Sequence, residues 1–213
     1  MADSMFSSSA SAKDSASSEI GSERTLYPYV TGTSVLGMKY KDGVIMAADM
    51  GGSYGSTLRY KSVERIKPIG KHSLLGASGE ISDFQEILRY LDELICNSVS
   101  LTIAFFPLFC FSQPVNMIGT HYEDSHVATG FGNHLARPIL RAEWREDLTF
   151  EEAVKLLEKC LLVLLYRDRS AINKFQIAKI TEEGATIFPP YALKTFWGFA
   201  AFQNPTKGAE GSW

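Results

Sequence analysis

The stretch that decides the fold of this chain is VTGTSVLGMKYKDGVIMAAD, which occupies residues 30–49. It predicts two short strands, because two apolar runs flank the turn residues Lys41, Asp42 and Gly43. An Asp-Gly step between apolar runs is typical of a tight hairpin turn whose residues have positive φ. A Gly-Thr step opens the first strand, and Asp49 closes the second. We therefore expect a β-hairpin with a threonine at its head and an aspartate at its end.

This arrangement of side chains suggests one chemistry. In N-terminal-threonine hydrolases, the free amine of the first residue helps to activate that residue's own hydroxyl group. Thr33 and Asp49 are the threonine and the aspartate of the predicted hairpin. They are therefore candidates for a nucleophile and for a residue that acts beside it.

Length and composition are those of an ordinary globular chain. The 213 residues suffice for one large domain or two small ones, and 45% of them are hydrophobic and 21% charged. The net charge of −3 argues against nucleic acid as a main partner. Cys96, Cys110 and Cys160 are odd in number and lack CxxC spacing, which argues against a disulfide framework or a zinc site. We expect a reducing compartment, no metal and no other cofactor.

Hydrophobic periodicity predicts the elements that follow the hairpin. Short strands are expected at residues 62–70 and 73–79. A helix is expected over residues 81–95, where the apolar residues form one stripe. Another helix is expected over residues 133–144, with an interruption at Pro138.

The last part of the chain adds a long helix and a pair of strands. The helix is predicted over residues 149–165, because Thr149 and Glu152 have capping-box spacing and the body is apolar almost all round. Residues 175–181 and 185–188 predict the two paired strands. The order of strands and helices indicates a layered α+β domain.

Several short motifs are specific in combination, although none of them is specific alone. They are TLYPYVTGTSVLG at 25–37, ADMGGSYGS at 48–56, LGASG at 75–79, ATGFG at 128–132, YRD at 166–168 and FQI at 175–177. Together they resemble the β-type subunits of the 20S proteasome, over about residues 25–213 with one break.

The resemblance implies a fold, partners and a location. The fold would be the four-layer α-β-β-α sandwich of N-terminal-nucleophile hydrolases, formed here by residues 25–213. The chain would take one place in a seven-membered β ring, in contact with other β-type and α-type subunits and with the opposite β ring. It would act in the cytoplasm and nucleus, with neither nucleic acid nor membrane as a partner.

The break lies at residues 96–114, where the apolar run of residues 100–111 contains a central proline. This run is shorter than the roughly twenty residues that span a bilayer. The family has helices and several central strands here, so we expect an incomplete sandwich with exposed sheet edges. One hypothesis is a retained intron or a wrong gene model, which we favour. The alternative is a genuine buried strand.

Residues 1–24 are rich in serine and alanine and lack the apolar core of a secretory signal. They predict a disordered leader, and four acidic residues argue against the alternative of a plastid transit peptide. Because family members carry propeptides, the resemblance implies cleavage between Arg24 and Thr25.

The resemblance also assigns the site. Thr33 aligns with the nucleophile of active members and Asp49 with their aspartate, whereas Arg65 stands where they have a lysine. A lysine in a partly desolvated site can lower its pKa and share a proton, but an arginine stays protonated because its pKa exceeds about 12. We therefore expect Arg65 to form a salt bridge with Asp49 and not to relay a proton.

Two further positions depart from the active pattern. Phe131 stands where active members have a serine, and Ala171 replaces the serine expected three residues after the matching Asp168. Cleavage at Thr25 would leave Thr33 without a free amine. The sequence therefore predicts a non-catalytic subunit. Two alternatives stay open, an active threonine endopeptidase and a truncated product that does not assemble.

Residues 191–213 form a C-terminal extension rich in aromatic residues. The expected interface residues are Phe196, Trp197, Phe199, Phe202 and Trp213. Aromatic residues in a tail indicate either an interface or packing on the tail's own domain. The resemblance favours contact with the opposite β ring.

Two other clusters carry weaker signals. Residues 121–126 (HYEDSH) match no common zinc spacing and predict a polar loop. Residues 51–56 are rich in glycine without Walker A spacing and predict a second loop.

Overall fold

The computed structural model describes residues 27–97, 115 and 118–204. The strands in these residues are β1 (Val30–Gly32), β2 (Val35–Tyr40), β3 (Gly43–Asp49), β4 (Gly52–Tyr54), β5 (Thr57–Tyr60), β6 (Ile66–Pro68), β7 (Leu74–Gly76), β8 (Gly79–Glu80), β9 (His126–Ala128), β10 (Phe175–Thr181) and β11 (Gly184–Ile187). The helices are α1 (Ile81–Asn97), α2 (Gly132–Leu135), α3 (Arg137–Glu143), α4 (Phe150–Arg167) and α5 (Ala200–Gln203). The fold class is mixed α+β. The predicted leader, the cleavage point at Arg24 and Thr25, most of the 96–114 break and Trp213 lie outside the described residues.

The predicted hairpin is confirmed as β2 and β3, which pair from Val35 opposite Ala48 to Tyr40 opposite Gly43. The expected positive φ at its turn is wrong, because neither Asp42 nor Gly43 has one. Gly43 is needed for another reason. A Cβ atom on it would lie 1.9 Å from the carbonyl oxygen of Ile180 in β10, so no other residue fits this close approach.

β2 and β3 lie inside an antiparallel sheet of five strands, in the order β11-β10-β3-β2-β9. Helices α2 to α4 cover one face of it, where Leu36 and Met38 of β2 are fully buried in one cluster with Leu157 and Leu161 of α4. The long apolar helix and its burial are confirmed. Its capping box is confirmed as well, because the Thr149 and Glu152 pair bonds reciprocally.

The opposite face of the five-stranded sheet carries a smaller apolar cluster. Val35, Ala48 and Ala178 of the sheet are buried there with Ile66 of β6. β6 pairs with β7 in a separate two-stranded sheet, which confirms the two strands predicted before the first helix. A Cβ atom on Gly76 of β7 would lie 2.4 Å from the sulfur of Met46 in β3, so the glycine lets the two-stranded sheet lie close to the five-stranded sheet.

The third sheet has the order β5-β4-β1-β8. The expectation that residues 51–56 form a loop is wrong, because Gly52–Tyr54 is strand β4. Glycine and serine have low β-propensity, so this strand depends on its neighbours. A Cβ atom on Gly52 would lie 2.8 Å from the Val63 side chain, which shows how tightly the chain packs here.

The helix predicted over 81–95 is confirmed as α1, which lies against β1. Its apolar stripe is buried at Ile81 and Phe84, but Ile87 and Leu94 are 49% and 64% exposed. The helix predicted over 133–144 is divided into α2 and α3. Pro138 lies in the first turn of α3, where a missing N–H costs nothing. In the described residues, no helix combines the length and apolar character needed to cross a membrane.

Candidate functional site

Arg65 lies at the centre of the predicted site and is 1% exposed. Its guanidinium forms an ion pair with the Asp49 carboxylate. It also donates to the carbonyl oxygens of Thr33 at 2.7 Å, Asp49 at 2.9 and 3.1 Å, Ala77 at 3.1 Å and Ser34 at 3.2 Å, and to the Thr33 hydroxyl at 3.1 Å. The predicted salt bridge is therefore present, inside a cage of oxygen atoms.

The chain around Arg65 leaves no room for a side chain at residue 32. A Cβ atom on Gly32 would lie 2.3 Å from Arg65 Cδ and 3.0 Å from Nε, so the arginine passes directly over the glycine backbone. Burial lowers the pKa of Arg65, and the charge and hydrogen bond of Asp49 oppose this effect. Since the pKa of an arginine starts above about 12, the site keeps a permanent positive charge.

The Asp49 carboxylate lies at the end of β3 and is 3% exposed. One oxygen accepts from the Thr33 hydroxyl and from Arg65. The other accepts from the backbone N–H of Ile172 at 3.0 Å and of Gly51 at 3.3 Å. A carboxylate offers about four lone-pair sites, so Asp49 has none left for a further proton donor.

Thr33 lies within the chain, directly after β1. In β1, Thr31 pairs with Ser53 of β4 on one side and with Glu80 of β8 on the other. β4 and β8 therefore both pair with β1 and not with each other. β1 leads directly into Thr33, so the amine of Thr33 is free only in a chain that is cleaved between Gly32 and Thr33.

Asp168 and Ala171 line a small cavity together with Thr33. Asp168 follows the end of α4 and accepts from the backbone N–H of Ser170 at 2.9 Å. A cavity of about 10 Å³ is lined by Thr33, Asp49, Asp168 and Ala171, by Ser34, and by neighbours from α4 and β10. Ala171 contributes a methyl group to this lining and packs against the main core.

Phe131 does not lie with the other predicted site residues. Its side chain is 57% exposed at the start of α2, and it is absent from the lining of the small cavity. The adjacent Gly132 N–H donates to the Ser34 hydroxyl at 2.8 Å. The structure thus brings together Thr33, Asp49, Arg65, Asp168 and Ala171, and it leaves Phe131 at the surface.

Three contributors to this site are not predicted from the sequence. Gly32, Ser34 and Ala77 surround Arg65 through a close backbone approach and two carbonyl groups. Backbone acceptors carry no signal in the side-chain pattern. The Gly-Thr-Ser step at residues 32–34 is the one local signal, because glycine marks a close approach.

The remaining candidate features lie apart from this site. Within the described residues, no group of three or more His, Cys, Asp or Glu side chains could hold a metal ion. The stretch 121–126 enters β9 at His126. An open groove of about 680 Å³ lies between α1 and β1, and none of the predicted site residues lines it.

The predicted tail residues Phe196, Trp197, Phe199 and Phe202 form a cluster with Tyr166 of α4. Ring centroids within the cluster are 4.9–6.2 Å apart. The tail therefore contacts its own domain and still exposes aromatic surface.

Comparison with known proteins identifies the family. The family model described as "Proteasome subunit" matches residues 29–101 and 114–180. The chain is 62% identical to proteasome subunit beta type-4 of Arabidopsis thaliana, over 90% of this chain and 92% of the relative. It is 35% identical to proteasome subunit beta type-4 of Xenopus laevis, over 83% of this chain and 88% of the relative. It is 33% identical to proteasome subunit beta type-7 of Saccharomyces cerevisiae, over 77% of this chain and 78% of the relative. The chain belongs to the proteasome subunit family.

Proposed function

We propose that this chain is a non-catalytic β subunit of the 20S core particle, in the role of the beta type-4 relatives. It supports assembly of the particle in which other subunits cleave proteins. The observation that carries this proposal is the buried ion pair of Arg65 with Asp49 beside the Thr33 hydroxyl, at the position where active members have a lysine.

A threonine nucleophile needs a base that accepts the proton of its hydroxyl. In active members the free amine and a neighbouring lysine share this work. In a chain that begins at Thr25 this amine stays in a peptide bond, and Arg65 is a permanent cation. The Thr33 hydroxyl donates to Asp49, whose remaining acceptor positions are filled by backbone N–H groups. The acceptor of the Thr33 hydroxyl, Asp49, is already paired with Arg65, and the lysine that shares the proton in active members is absent from this position. General-base catalysis alone contributes about 10²–10⁴-fold.

The finer features of the fold and location follow the family. We propose the four-layer α-β-β-α arrangement, short of central strands because residues 96–114 replace a longer region. The partners are other β-type and α-type subunits, and the tail contacts the opposite β ring. The particle would act in the cytoplasm and nucleus. A truncated product that does not assemble is the rival outcome for the same chain.

The amino terminus of the chain in purified particles tests the proposal. Intact-mass analysis should recover a chain that begins before Val30, at Thr25 or near it, so that β1 is retained. Recovery of chains that begin at Thr33 would support the rival, an active threonine endopeptidase. A catalytic subunit of the same particle, which does begin at its threonine, is the internal control.

A further inference from the structure

The C-terminal segment leaves the domain through a series of fixed contacts. Tyr191 forms a bridge with Phe175 of β10, through two backbone hydrogen bonds of 2.8 and 3.0 Å. The side-chain amide of Asn173 then bonds reciprocally with the backbone of Leu193, at 2.8 Å in both directions. The segment is therefore part of the domain as far as Leu193, and a test of the tail must begin after this residue.

Beyond Leu193 the next fixed point is Tyr166. Its hydroxyl accepts from the backbone N–H of Phe196 at 2.9 Å. Its ring meets Trp197 edge-on at a centroid distance of 4.9 Å, and Phe202 and Phe199 lie at 5.8 and 6.2 Å. One side chain near the end of α4 thus contacts both the backbone and three aromatic rings of the tail.

The cluster around Tyr166 stays at the surface. Phe196 is 60% exposed, and Trp197 and Phe199 are each 49% exposed. An edge-to-face arrangement fixes the direction of each ring, and it does so here without burying the rings in the core. Rings that are already held in one arrangement lose less conformational freedom when another surface covers them.

We propose that Tyr166 is a positioning residue for the tail: it holds Phe196, Trp197 and Phe199 in the arrangement that docks on the opposite β ring. This inference rests on the proposed role of the tail. The hydroxyl fixes the backbone where the tail turns away from the domain, and the ring orients Trp197 and Phe199. Positioning by Tyr166 is a property of the free subunit, so it can be measured with or without assembly.

Hydrogen exchange of the full chain measures the positioning directly. Tyr166→Phe removes the hydroxyl and keeps the ring, so the Phe196 amide should exchange about two- to tenfold faster, as expected for the loss of one hydrogen bond. Tyr166→Ala should also accelerate exchange at residues 197–204. Tyr60→Phe, on an exposed tyrosine of β5, is the matched control and should leave the tail unchanged. Wild-type exchange at Phe196 in Tyr166→Phe would overturn the proposal.

Assembly gives the second measurement. Particles should be isolated from cells in which each variant is the sole copy of this subunit, and half-particles and full particles should be compared on native gels. A chain that ends at Lys194 should accumulate half-particles, and Tyr166→Ala should accumulate nearly as many. If the truncated chain assembles normally, the proposed tail role fails, while the exchange result still decides whether Tyr166 positions the tail. If the truncation impairs assembly and Tyr166→Ala does not, the positioning proposal is overturned.

Discussion

Arg65→Met is the substitution that most directly perturbs the centre of this structure. Methionine fills much of the same volume but leaves the Asp49 carboxylate, which is 3% exposed, without its ionic partner. Removing one member of a buried ion pair costs about 3–5 kcal/mol, because the remaining charge is uncompensated. We expect the upper part of this range, since the carbonyl oxygens of Thr33, Ser34 and Ala77 lose donors as well. A loss of this size is a large share of a typical stability of about 5–15 kcal/mol.

Two further variants identify the source of this loss. Adding Asp49→Asn to Arg65→Met removes the unpaired charge and should recover part of the stability. Arg65→Lys keeps the charge but offers three donors on one atom, so it cannot reach all of the oxygens that the guanidinium contacts. It should therefore be less stable than the wild type and more stable than Arg65→Met. Arg89→Met is the matched control, because Arg89 is exposed and its ion pairs lie on the surface of α1.

The assay is urea unfolding of each full-length chain, followed by circular dichroism. The midpoint should fall strongly for Arg65→Met and hardly at all for Arg89→Met, with similar slopes for both. If Arg65→Met unfolds within about 1 kcal/mol of the wild type, the reasoning that the cage stabilises the fold is refuted.

Three other predictions follow from the chain. Burial lowers the pKa of His126 from 6.5, so the folded state favours the neutral imidazole. The free energy of unfolding should therefore fall as the pH drops below 6.5 and level off below the pKa of the folded state. In His126→Gln, the urea midpoint should depend less on pH over this range. Residues 1–24 should be absent from mature particles, and intact-mass recovery of Met1 would contradict this. A chimera with the corresponding middle region of the Arabidopsis relative in place of residues 96–114 should be more soluble than this chain. Cooperative melting of the unaltered chain at equal yield would count against the last prediction.

The sequence predicts those parts of the fold that depend on local patterns. The hairpin, the helix stripe of α1 and the Thr149 capping box all follow from spacing within a few residues. Strand β4 could not be found in this way, because Gly52 and Ser53 become part of a strand through pairing with β1 and β5. The positive φ expected at Asp42 and Gly43 is absent for a related reason. Gly43 is needed because the backbone of β10 lies close to it, and not because its own φ is positive.

In the candidate site, too, some features can be predicted from the sequence and others depend on distant parts of the chain. The side chains of Asp49 and Arg65 could be paired from the family pattern, because the pattern records side chains. The carbonyl groups that complete the cage come from Ser34 and Ala77, which lie 31 and 12 residues from Arg65 along the chain. Phe131 shows the opposite case, because its position in a motif gave no information about the direction of its side chain.

The central claim is that Thr33 is not a nucleophile, and labelling tests it most directly. Purified particles that contain this chain should be treated with an electrophile directed at N-terminal threonines, and each subunit should be weighed intact. The catalytic subunits of the same particles provide the positive control. We expect full labelling of those subunits and no added mass on this chain. Stoichiometric labelling of Thr33 would contradict the account.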